Sequence, residues 1–450
     1  MLVEKNTIHK INITSYSSEG EGIGRIDGMA VFVKGGLIGE TLEVKITKVA
    51  KNCAWARLNK VLKPSPARVN PDCKFASACG GCSLRHMDYE EELQLKLRRV
   101  NDALQRIGKL DFKIKKIHGA DNILRYRNKA TFPVGYGKNA NFKIGIFQQR
   151  SHNIIDINEC FIQSEEAEAV VGIIRKWMLE HKIPAYNEEQ QTGLIRHLFV
   201  RTNNKKEVLV CLVTTKKEIP HLDTLITLFK NSTIDIVGLV QNIQDKNTNV
   251  IFGKQFNTLW KKNYIKDKIL DLDFKLSVAS FFQVNRAQAE KLYTIALDYA
   301  NIKANETVVD LYCGTGTITL FMSKKAKRAF GIEIIPEAIL DAKQNAIINS
   351  IDNADFICAD AKTVAEDFAN QKFHPDVICV DPPRKGLDIS TISSIIKISP
   401  KRIVYISCDP ATLARDLQIF SKSNYKIVKA EALDMFPRTP HIESVVLLTK

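Results

Sequence analysis

Two side chains near the end of the chain could act together on an electron-poor ring. Cys408 follows the apolar run RIVYIS and precedes Asp409-Pro410, which places it at the tip of a strand. Glu443 opens the last apolar run, in RTPHIESVVLL. A thiolate at a strand tip can add to carbon 6 of a uracil, making carbon 5 a nucleophile toward a methyl donor. A base must then take the carbon 5 proton so that the thiol can leave, and Glu443 is the candidate. His441 would share its strand face through the period of two. Each residue also has a plainer reading. A free cysteine is more often a small buried hydrophobe, which is what Cys211, Cys358 and Cys379 inside apolar runs are expected to be. Glu443 alone could simply open a strand.

A second set of polar residues suits a nucleotide cofactor. In TVVDLYCGTGTITL, Asp310 ends a strand and Gly314 and Gly316 precede a helix, where backbone can approach a ligand closely. Glu333 ends the next strand, RAFGIEI, at the distance that suits ribose hydroxyls. That pattern fits a nicotinamide cofactor as well as S-adenosylmethionine. Asp360 at the end of DFICAD, suited to an adenine amino group, and Asp381 in DVICVDPPR favour the latter. Any one of these acids could instead cap a helix. Amino-group methyltransferases carry an aromatic after Asp-Pro-Pro, where this chain has Arg384. The 5-methylcytidine enzymes present Pro-Cys, where it has Ser-Cys-Asp-Pro. Uridine is the expected base.

Cys73, Cys79 and Cys82 have the spacing C-x5-C-x2-C around Gly80 and Gly81, and Cys160 lies downstream in INECFIQS. Four thiolates suit tetrahedral zinc or an iron–sulfur cluster, and residue chemistry leaves both open.

Several elements must position these groups. Residues 1–61 read as a small β-barrel of the oligonucleotide-binding kind, with short alternating stretches at 11–13, 30–33, 41–46 and 54–58 between Gly-rich turns. KPSPARVNP makes a stiff linker. Residues 62–265 read as an α+β domain with an amphipathic helix from Tyr89 to about Ile107 and another near 165–181. From 266 to 450, strands and helices alternate as in a parallel doubly wound, Rossmann-like sheet. Residues 1–265 hold 41 Lys and Arg against 27 Asp and Glu, and the rest 24 against 23. The excess positive charge therefore sits upstream, which favours a polyanionic partner. RYRNK (125–129) and IRHLFVR (195–201) interleave aromatics with cations, as RNA contacts require. No secretory signal or membrane-length apolar run is visible, so a cytoplasmic protein without a membrane partner is expected.

DLYCGTGTITL, VDPPRKG, SCDPATLARDL and HIESVVLL, in this order, resemble the RNA (uracil-5-)-methyltransferase family, and the resemblance spans essentially the whole chain. EGIGRIDGMAVFVKGGLIGE resembles a TRAM domain, a five-stranded RNA-binding barrel. The cysteine set is similar to the branch that carries a 4Fe–4S cluster and modifies 23S ribosomal RNA. The bacterial tRNA branch generally lacks both barrel and cluster. The resemblance implies that Cys408 is the nucleophile and Glu443 the proton acceptor. It implies S-adenosylmethionine contacts from Gln283, Tyr312, Glu333 and Asp381, with Thr317 and Asp360 as further ones. It moves Cys73, Cys79, Cys82 and Cys160 from zinc to a 4Fe–4S cluster. The target base must leave its stack to reach Cys408. A monomer is the simplest expectation.

Overall fold

The computed structural model describes residues 3–137, 141–149 and 151–450. Strands β1 (Ile8–Tyr16), β2 (Gly22–Ile26), β3 (Met29–Lys34), β4 (Thr41–Val49) and β5 (Cys53–Lys63) close into a barrel in the order β1-β2-β3-β5-β4. Alternate residues such as Ile11, Ile13, Val31, Val33, Leu42 and Val44 fill its interior. Closure removes the free edges that so small a sheet would otherwise expose. The stretch expected as a Gly-rich turn contains strand β2. Its glycines serve close approach, because a side chain on Gly24 would collide with the Asn12 carbonyl of β1.

The middle of the chain supplies α1 (Tyr89–Arg106) and β6 (Ile117–His118), then β7 (Lys129–Tyr136), β8 (Phe142–Phe147), β9 (Ile154–Asp156), α2 (Glu165–Glu180), β10 (Ile195–Thr202), β11 (Val208–Thr214), α3 (Leu222–Lys230), β12 (Ile236–Ile243) and β13 (Gln255–Lys261). Seven of these strands form one sheet, ordered β13-β12-β11-β10-β7-β8-β9. Strand β10, which carries IRHLFVR, is the central one, and this corrects the expectation of an RNA-facing stretch. Arg196 is buried and donates to the carbonyls of Gln244, Lys246 and Thr248. Arg201 is buried against the Ser280 carbonyl. Burial of both guanidinium groups leaves them no path to a phosphate. In RYRNK, Arg125 is spent on Glu168 and the carbonyls of Cys160 and Gln163, and Tyr126 is buried. Arg127 and Lys129 stay half-buried.

A hairpin of β14 (Tyr264–Ile269) and β15 (Leu272–Ser277) leads to α4 (Arg286–Ala300). The last part runs β16 (Thr307–Leu311), α5 (Thr317–Ser323), β17 (Arg328–Glu333), α6 (Pro336–Ile348), β18 (Ala354–Cys358), α7 (Ala361–Asn370), β19 (Val377–Val380), α8 (Ile389–Ile398), β20 (Arg402–Ser407), α9 (Pro410–Lys422), β21 (Lys426–Leu433) and β22 (Glu443–Thr449). Its sheet is ordered β18-β17-β16-β19-β20-β22-β21-β6. Strands β16 to β20 are parallel, with apolar cores on both faces. The order reverses between β16 and β19, which opens a crevice at their carboxyl ends. The sheet is not parallel throughout, however. β22 lies antiparallel between β20 and β21, because the connection from β21 contains no crossover helix. β6, from far upstream, forms the eighth strand beside β21.

Candidate active site

Strands β20 and β22 pair with Ser407 opposite Ser444, so Cys408 and Glu443 come next and face each other across the two strands. Cys408 is half-buried and Glu443 buried. Glu443 reaches this depth because β22 is an interior strand, between β20 and β21. Burial, Glu443 and Asp381 push the Cys408 thiol up to about 12, while Arg384 pulls the other way. Burial and the Asp381 charge hold Glu443 well above the usual carboxylate range, again against Arg384. Desolvation and Asp310 raise Asp381 to about 7. Burial lowers His441, helped by Arg384 and Arg99, so its ring is neutral at physiological pH. Glu443 and Asp381, and to a lesser degree Asp409, therefore press on the thiol, with Arg384 opposing them.

The crevice beside them is shaped by strained backbone. Tyr312, just past β16, has φ +94°, a rare conformation for a bulky residue, followed by Gly314 at +53° and Gly316 at +84°. The Gly314 amide donates to Glu333 (3.2 Å), whose other oxygen accepts from the amides of Ile334 (2.9 Å) and Ile335 (3.0 Å). Asp360 caps α7, accepting from the Lys362 amide, as its plainer reading expects. Thr317 is the buried first residue of α5. Tyr312, Thr317, Glu333, Asp360 and Asp381 thus all lie at the carboxyl ends of β16 to β19. Gln283 comes from outside the sheet, in the segment between β15 and α4. It is buried, and its carbonyl accepts from Asn128.

Two further side chains bear on the crevice: Asp310, legible in the sequence only as a strand-end acid, and Arg384. Asp310 is fully buried and raised to about 7 by desolvation; one oxygen accepts from Thr319 and the other has no partner. Arg384 counted in sequence only as a missing aromatic, yet it opposes the charges on Cys408 and Glu443. A cation in an otherwise acidic cluster was the available signal.

Cys73, Cys79, Cys82 and Cys160 line one cavity with Phe75 and Arg85. Burial raises the thiols of Cys79, Cys82 and Cys160, and the four are close enough to influence each other's charge. Among the described residues, no group of three or more His, Cys, Asp or Glu is placed so that it could hold a metal ion.

A doubly wound sheet whose crevice gathers acids, a thiol and a buried glutamate has the architecture of an α/β group-transfer enzyme. Residues 88–450 match the model of the tRNA (Uracil-5-)-methyltransferase family, and residues 3–58 match the TRAM domain. An uncharacterized RNA methyltransferase of Clostridium tetani is 43% identical over 448 residues, 99% of this chain and 97% of that protein. One of Halalkalibacterium halodurans is 42% identical over 99% of this chain and 98% of that one. The crystal structure of Pyrococcus abyssi tRNA (uracil-54, C5)-methyltransferase in complex with S-adenosyl-L-homocysteine superposes with a TM-score of 0.80. It is 27% identical and covers 98% of this chain and 99% of that one. The chain belongs to the tRNA (uracil-5-)-methyltransferase family and is an RNA methyltransferase.

Proposed function

We propose that the protein transfers a methyl group from S-adenosylmethionine to carbon 5 of a uridine in 23S ribosomal RNA, through an adduct between Cys408 Sγ and carbon 6. The observation that carries this reading is the opposition of Cys408 and Glu443 across β20 and β22, with Asp381 beside both. The donor, when bound, supplies an electrophilic methyl on a cationic sulfur. Glu333 has backbone amides fixing its carboxylate and suits ribose hydroxyls; Asp360 and Thr317 suit the nucleoside, and Gln283 and Tyr312 would supply further contacts. The unpartnered oxygen of Asp310 and the raised Asp381 favour a cationic guest.

The free protein keeps Cys408 as a thiol. It becomes a nucleophile when positive charge enters the crevice, with Arg384 already favouring the thiolate. Entry of that charge displaces the protons of Cys408 and Glu443 to solvent, and the thiolate adds to carbon 6, which makes carbon 5 the nucleophile. Carbon 5 takes the methyl group as its bond to the donor sulfur breaks and leaves that sulfur neutral. The Glu443 carboxylate then takes the carbon 5 proton, and the carbon 6–sulfur bond breaks to return Cys408 as the thiolate. RNA containing 5-fluorouridine cannot lose its substituent, so it should form a stable covalent complex with the wild type. Absence of that complex, or its survival in Cys408→Ala, would refute the role of Cys408. Glu443→Gln should add and methylate but stall with ordinary RNA bound.

A tRNA substrate is the second reading, favoured by the Pyrococcus enzyme, which aligns along almost the whole of this chain, barrel region included. The barrel therefore does not select ribosomal RNA. Mapping 5-methyluridine in both RNAs, with and without the protein, separates the two readings.

A 4Fe–4S cluster at the four cysteines is supported by their lining one cavity beside backbone amides such as Gly81 N, which donates to Cys79 Sγ, although the thiols as they stand do not form a metal-holding group. Such a cluster would tie the 73–82 loop to the Cys160 turn. Anaerobic absorbance in the iron–sulfur charge-transfer region, lost on Cys82→Ser, tests it. In this reading the protein works as a cytoplasmic monomer, its thiols kept reduced.

A further inference from the structure

Between Asp245 and Asp267 the chain carries five lysines and no acid, interleaved with Phe252, Phe256, Trp260 and Tyr264. This stretch forms β13 and enters β14, and β13 is the edge of the seven-stranded sheet. Lys246, Lys254, Lys262 and Lys266 are exposed, and no ion pair among the described residues involves any of them. The fifth, Lys261, donates to the Ile236 carbonyl (2.7 Å) and lies 4.4 Å from the Trp260 ring centre. Lys275 of β15 lies 4.6 Å from the Tyr264 ring. Phe256 leaves 39% of its surface in water. The hairpin that continues this surface runs directly into the segment holding Gln283.

We propose that the β13 edge and the β14–β15 hairpin form a contact surface for a single-stranded RNA flank, separate from the barrel. This inference rests on the RNA-methylating reading above. Ammonium groups outside any ion pair attract a polyanion, and of the hairpin's acids Asp267 is buried against Arg286 and Asp271 is paired with Lys324. Rings packed against lysines restrict where those charges sit, and an open aromatic face offers a base a stacking platform. A polypeptide partner pairing with the edge strand would need a row of free backbone groups without a repelling charge, and lysines are what disfavours such pairing. The same lysines would also suit an edge protected against self-association, and the experiment separates these roles.

The probe is a labelled adenine oligonucleotide of about twenty nucleotides, a non-substrate strand, titrated at several salt concentrations. In the full-length variant with Lys246, Lys254, Lys262 and Lys266 each changed to Gln, log K should depend less steeply on log salt, by about 0.7 per lost phosphate contact or about 2–3 in all. Phe256→Ala should weaken binding with the slope unchanged. Equal slopes and affinities in wild type and the four-Gln variant would overturn the proposal. Self-association of the variant alongside those equal values would assign the lysines to edge protection. Methyl transfer to ribosomal RNA lacking the modification is measured in parallel. Failure of the wild type there would sink the methylation reading while leaving the slope comparison interpretable.

Discussion

Cys408, Glu443 and Asp381 form one poorly solvated cluster that Asp310 adjoins through Asp381, and burial and neighbouring acids raise each group's affinity for protons. A guest cation there must displace protons. Binding of S-adenosylmethionine near pH 7 should therefore release protons to buffer and tighten as pH rises through 7. The neutral product analogue should release fewer. Calorimetry in buffers of different ionisation enthalpy measures this, and equal release for both ligands would count against a cationic guest beside the acids. Asp310 makes a matching stability prediction. Its carboxyl goes from the ordinary 3.8 to about 7 in the fold, so the folded chain keeps a proton that the unfolded chain loses between those values. The group favours folding at low pH, and that advantage is lost as pH rises through 7. Asp310→Asn should gain stability relative to wild type between pH 5 and pH 8, read from urea midpoints.

At the scale of elements, the turn from Asp434 to His441 before Glu443 is held by several parts of the chain. Fully buried Lys96 of α1 bonds Asp434 (2.6 Å) and Glu92 (2.7 Å), and Tyr89 donates to Asp434 (2.7 Å). The Arg438 amide donates to Glu92 (2.6 Å), and Arg99 donates to the Pro440 carbonyl (2.6 Å). Removing the cation strands two buried carboxylates, so Lys96→Met should cost about 3–5 kcal/mol in chemical denaturation. The barrel joins the same turn through Gly20, whose φ is +77° and where a side chain would meet Leu84 at 2.8 Å and Pro440 at 3.7 Å. Gly20→Ala should lower stability by about 1 kcal/mol or more, from positive φ together with the clash. A wild-type denaturation midpoint in that variant would show that the barrel docks more loosely than this.

At the scale of the molecule, the α/β sheet is completed from outside its own stretch of chain. β6 forms its eighth strand, and α1 packs on α9 while neutralising Asp434. A fragment of 266–450 loses both and should be poorly folded by circular dichroism. A fragment of 88–450 keeps them and should unfold cooperatively. Equal folding of the two would mean that α1 and β6 are dispensable.

Much of this was legible in the chain. Strands β16 to β20 and helices α1, α2 and α6 fall close to where apolar periodicity puts them, because each buries a regular face. The Gly-rich turn, the acids at strand ends and the cysteine spacing are local signals too. Other features depended on partners distant in sequence. Strand β2 reads as a turn until its glycines are seen against β1, and IRHLFVR reads as an RNA surface until β10 proves central. The hairpin that turns β22 antiparallel decides that Glu443 faces Cys408. Sequence determined the residue types that could react; tertiary packing decided which of them lie together and how strongly each holds its proton. Burial and Coulomb interaction depend on distances in space, and those exist only once the sheet has formed.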